Sequence, residues 1–134
     1  MGDTMRTTVG SGPSGGPRVL TPGVRAALRD AFGGEVSARL PRLLAAGALL
    51  AQHQVRGPAN ETLHSALRDV HALASSAAVV GENFVAEAAR ECEELLAPYV
   101  DVARLPGEAL TRILDRIEDI ALALAPWVAR GAGA

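Results

Sequence analysis

Few side chains in this chain can do chemistry: three histidines (His53, His64 and His71), one cysteine (Cys92) and fifteen scattered carboxylates. A neutral imidazole offers one ring nitrogen as a nucleophile while the other keeps its hydrogen, so a histidine beside a carboxylate suits nucleophilic chemistry near neutral pH. His71 has the setting that such chemistry needs. When the segment around it is read as a helix with Leu63 at zero, Ala66, Val70, Leu73, Ala77 and Val80 fall in an apolar arc between roughly 260° and 340°, and His71 lies outside it at roughly 80°. His64, Arg68, Ser75 and Ala78 fall within roughly 60° of His71 on the same wheel. Ala74, Ser75 and Ala78 are small, so a large protein surface can approach the ring from the following turn without meeting a long side chain. The binding surface expected around His71 is therefore His64, Arg68, Ala74, Ser75 and Ala78.

The other reactive groups read as structural. Glu61-Thr-Leu-His64 is a single Glu-x-x-His element, whereas a di-iron site in a bundle takes two. His64 and His71 are also roughly 10 Å apart along a helix axis, too far to share one ion. No metal or cofactor is expected. Cys92 falls in a stripe with Phe84 and Leu95 and reads as a core residue. As the only cysteine it cannot form an intramolecular disulfide, and with no Cys/His cluster for zinc it points to the cytoplasm. His53 reads as a surface position. The chain has no GxxxxGK[ST] loop, so it is not expected to bind ATP or act as a kinase by itself.

These residues must be held by helices. Apolar residues recur at spacings of three and four, and no segment alternates with period two, which predicts an all-α fold. Thr21-Pro22 is an N-cap followed by proline at the first helical position, and Gly33-Gly34 is a natural stop, so a short first helix is expected between them, burying Val24, Leu28 and Phe32. A second helix over 35–54 would bury Val36, Leu40, Leu43, Leu44 and Leu50, with Pro41 kinking or restarting it. Arg56-Gly57-Pro58 breaks the chain, and Asn60 and Glu61 open a third helix, the one with His71, that Gly81 closes. A fourth helix over about 82–97 would bury Phe84, Val85, Ala88, Cys92 and Leu95 and stop before Pro98. A fifth, from near Pro106, has the stripe Leu110, Ile113, Leu114, Ile117, Ile120, Ala121, Leu124, Trp127 and Val128. Four long helices with short connections make an antiparallel four-helix bundle, with the additional short N-terminal helix as a lid.

With 134 residues, 49% hydrophobic and 3% aromatic, the chain predicts one domain with a core of aliphatic side chains. Residues 1–19, rich in Gly, Ser, Thr and Pro, read as a disordered tail before a bundle over 20–130. All thirteen basic residues are arginine, and they are mixed with the acids at a net charge of −2, which argues against nucleic acid as a partner. The longest apolar runs, 43–51 and 120–129, are about half the length needed to cross a bilayer, so no membrane span is expected. The first residues lack the pattern of a signal peptide.

The segment from His71 to Gly81 resembles the motif of histidine phosphotransfer (HPt) domains, in which a phosphorylated histidine is followed by Leu, Lys, Gly, a run of small residues and a helix-ending Gly. His71, Leu73, Ser76, Ala77 and Gly81 fall in register, with Ala74 where the family has Lys and Ser75 where it has Gly. The register extends into Glu93-Glu94-Leu95-Leu96, where the phosphorylated domain of chemotaxis-type histidine kinases carries an acidic residue that hydrogen-bonds its histidine. The likeness covers roughly 22–128. It implies that His71 carries a phosphoryl group on Nε2, that Glu93 orients the ring, and that the group is exchanged with a receiver-domain aspartate of a response regulator or with a histidine kinase. The protein would work as a monomer. The rival reading is a degenerate bundle of the same kind that binds a signalling partner as an adaptor without being phosphorylated.

Overall fold

The computed structural model describes residues 21–53, 61–101 and 105–132. They form four α-helices: α1 (Pro22–His53), α2 (Glu61–Val79), α3 (Asn83–Leu96) and α4 (Gly107–Ala132), with one 3-10 turn, Ala97–Tyr99, after α3. Each helix packs on its neighbours in the order α1, α2, α3, α4, and α4 closes the ring against α1. Cross-helix pairs run in opposite senses along the chain, as an antiparallel bundle requires: Phe32 meets Trp127 while Gly47 faces Leu114 and Ile117, and His71 meets Glu93 while His64 meets Asp101. The tail predicted for 1–19, the break at Arg56-Gly57-Pro58 and the cap at Asn60 lie outside the described residues.

The all-α bundle is as the apolar spacing predicts, but its first two expected helices are one. α1 starts where expected: the Val24 N–H donates to Thr21 Oγ1 at 3.1 Å and Pro22 occupies the first turn. It then runs through Gly33-Gly34 and Pro41 without a stop. Packing outweighs propensity here. The Phe32 ring stands edge-on to Trp127 at 4.7 Å, Arg29 lies over the same indole at 4.7 Å, and the bare face of Gly33 lies against the Trp127 ring. Two glycines cost about 2 kcal/mol of helix propensity, which burial of an aromatic pair can offset. Pro41 loses one helical hydrogen bond on an exposed side, while Leu40 and Leu43 on either side of it are buried.

One contiguous core joins the four inner faces, with Leu63, Val70 and Leu73 of α2, Val85, Cys92 and Leu96 of α3, and Ile113, Ile120 and Leu124 of α4 among its fully enclosed members. Several expected core positions are corrected. Val24, Leu44, Phe84 and Val128 are exposed, Phe84 to 64%. Each stands at the edge of its apolar stripe, where a small rotation of the helix decides between core and solvent. Ala74 is corrected in the other direction: it is 4% exposed and packs into the core between its neighbours.

α2 ends as the Gly81 stop predicts. Gly81 has φ +81°, the Glu82 N–H donates to the Ala77 carbonyl at 2.9 Å, and the Gly81 N–H donates to the Ala78 carbonyl at 3.3 Å. This pair of bonds around a left-handed glycine reverses the chain and starts α3. The height of Glu93 opposite His71 follows from that reversal.

Candidate functional site

His71 projects from the middle of α2 with 67% of its side chain exposed, and Glu93 from the facing side of α3 with 32% exposed. His71 Nδ1 and Glu93 Oε2 are 2.8 Å apart. An ionised carboxylate can only accept, so the hydrogen sits on Nδ1 and the Nε2 lone pair of the neutral ring is left facing solvent. The turn after His71 is low. Ser75 is exposed and its hydroxyl donates to the His71 carbonyl at 3.2 Å, which folds the side chain back onto its own helix. Ala78 is exposed one turn further on.

The remaining predicted surface residues divide. Arg68, one turn before His71, is exposed and takes no carboxylate partner among the described residues. His64 does not approach His71; its Nε2–H donates to Asp101 Oδ1 at 3.1 Å, tying the start of α2 to the segment after the 3-10 turn. Arg68 and His64 line an open groove of about 650 Å³ between α1 and α2, together with Arg42 and Leu49. Ala74 belongs to the core and offers nothing to this surface. Its position turns inward, and a methyl group is too short to reach back to solvent as a long basic side chain there would.

The sequence reading missed Asp69, the one buried charged side chain among the described residues, at 2% exposure. Its Oδ1 accepts from Arg39 Nη1 at 3.0 Å and from Arg42 Nη2 at 2.9 Å. Arg39 also donates to Glu35 at 2.8 Å; that bond, with help from Asp69 and against partial desolvation, holds its guanidinium above the ordinary arginine range. The cluster pins α1 to α2 on the flank opposite Glu93. A signal for it existed: Asp69 lies at roughly 240° on the wheel, touching the apolar arc, where a carboxylate needs a partner from the next helix. Among the described residues no three His, Cys, Asp or Glu side chains gather as a metal site, and no helix among them is long and apolar enough to cross a membrane.

The described residues thus form an antiparallel four-helix bundle with an exposed histidine on α2 in hydrogen-bond contact with a carboxylate of α3. The family model described as the Hpt domain matches residues 27–124, and the chain belongs to that family. Hpt domains serve histidine phosphotransfer in phosphorelays and interact with kinases and response regulators. Comparisons with curated proteins and with solved structures found no match.

Proposed function

We propose that His71 is the phosphoryl acceptor and donor of this domain, through Nε2, and that Glu93 holds the ring for it. The observation that carries this reading is the 2.8 Å contact between Nδ1 and Glu93 Oε2 on a ring that is otherwise open to solvent. In the forward step the Nε2 lone pair attacks phosphorus in line, the P–O bond to the partner's aspartyl carboxylate breaks, and that carboxylate leaves with the electron pair. No proton has to move. The product ring carries a positive charge with its hydrogen still on Nδ1, and the adjacent Glu93 carboxylate offsets that charge. The reverse step regenerates the neutral ring.

The receiver domain docks on the face shared by α1 and α2, where Ser75 and Ala78 leave the ring accessible. Incubation with a phosphorylated receiver domain or an active histidine kinase should place on His71 a label that is lost in acid and kept in base, as a phosphoramidate is. His71→Gln should take no label. Label on His64, or unchanged labelling of the variant, would refute the assignment. Tight binding of a phosphorylated receiver with no label would support the adaptor reading instead. Ser75→Arg should block transfer while leaving the thermal midpoint within a few degrees, because an exposed helix position tolerates arginine; near-normal transfer would move the docking face elsewhere.

A further inference from the structure

A phosphoryl group on His71 would bring close to two negative charges to a helix face that already holds the Glu93 carboxylate. Something must balance them, and the described cations are unequally available. Arg39 and Arg42 are engaged by Asp69, Arg39 also by Glu35, and Arg116 is engaged by Glu91 and Asp119. Ala74 is buried and uncharged, and the Ser75 hydroxyl is committed to a backbone carbonyl. Arg25, Arg68, Arg90 and Arg112 are exposed with no carboxylate partner among the described residues. Arg68 is set apart by its place: it is the only basic residue of α2 apart from its histidines, and it stands three residues before His71.

That position favours Arg68. Residues three apart on a helix have Cβ atoms about 5–6 Å from each other on one side. Helical side chains lean toward the N-terminus, so the ring of His71 covers the turn from which Arg68 springs rather than the turn of Ser75. A planar guanidinium with no competing partner can swing onto two phosphoryl oxygens at once.

We propose that Arg68 is the phosphoryl-binding cation of this site, clamping the oxygens of the group carried on His71 Nε2. This rests on His71 being the acceptor, and the test keeps the two claims apart. The full chain is treated with potassium phosphoramidate, a small donor that needs no docking surface: its P–N bond breaks, ammonia leaves, and a P–N bond forms to Nε2. Phosphorus NMR then follows the second ionisation of the bound phosphoryl group against pH. A neighbouring guanidinium stabilises the dianion, so Arg68→Gln should raise the ionisation midpoint by about half a pH unit, and Arg68→Lys should restore most of it. Arg112→Gln removes the same charge from α4, which packs on α1 and α3, and should leave the midpoint in place. A labelled His71 with the same midpoint in wild type and Arg68→Gln would overturn the role of Arg68, as would an equal shift in Arg112→Gln. No label on His71 at all would overturn the acceptor reading and this one with it.

Discussion

A histidine that is to be phosphorylated by a partner faces two conflicting demands: it must stand in solvent, yet keep one ring tautomer, which solvent alone does not enforce. In the role proposed for His71, Glu93 reconciles them by reaching from the neighbouring helix to Nδ1 and leaving the rest of the ring bare. Glu93→Ala should therefore return the ring to a mixture of tautomers, visible in the ¹⁵N shifts of the imidazole. It should also slow phosphorylation about tenfold or more, because a hydrogen bond to a charged group contributes about 1.5–3 kcal/mol. Unaltered shifts and an unaltered rate would reduce Glu93 to a surface carboxylate. At this scale the sequence was legible where one helix carries the whole pattern: the exposure of His71 and Ser75 follows from a wheel drawn on α2 alone. Contacts between helices were not. The Asp69 cluster and the His64–Asp101 pair depend on which residues of two helices stand at equal height, and spacing within one helix contains no such information. The placement of Glu93 opposite His71 could be read only because family resemblance supplied the register.

Among the elements, the α2–α3 reversal controls the site most directly, since it fixes how far up α3 the residue opposite His71 lies. Gly81 makes that reversal in a left-handed conformation, and a methyl group added there would meet nothing within 4 Å. The cost of Gly81→Ala is therefore one of backbone conformation alone, about 1 kcal/mol, readable as a lower urea midpoint with an unchanged slope. A variant as stable as wild type would mean the turn relaxes, and the pairing of Glu93 with His71 should then be re-examined by the same ¹⁵N shifts. The punctuation of α2 was legible because its glycine stands alone after an apolar arc that has ended. Gly33-Gly34 misled for the opposite reason: the arc continues through it from Phe32 to Val36, both buried, and Trp127, which packs there, lies at the far end of the chain. Local stop signals lose to tertiary packing when the buried stripe crosses them in phase.

For the molecule as a whole, the core is a single apolar cluster with Cys92 fully enclosed in it. Burial pushes the thiol up to about 12 from 9.0, with Arg116 opposing only in part. The folded protein thus keeps the proton that the unfolded chain gives up near pH 9. The sign follows: between about pH 9 and 12 the native state binds more protons than the unfolded state, so the stabilisation is fully present below pH 9 and is lost as pH rises toward 12. One proton gives a slope of at most about 1.4 kcal/mol per pH unit. In most proteins lysines titrating in the same range would mask it, but all thirteen basic residues here are arginine. Urea unfolding measured from pH 8 to 11 should show stability falling in the wild type and a shallower fall in Cys92→Ala. That variant should also be less stable at pH 8, since removing the sulfur leaves a small cavity. In the native wild type at pH 8 the thiol should react with a disulfide reagent only at the rate of unfolding. Equal alkaline slopes in the two proteins, or rapid labelling of the folded chain, would place Cys92 in contact with water and contradict the close packing of α3 against its neighbours.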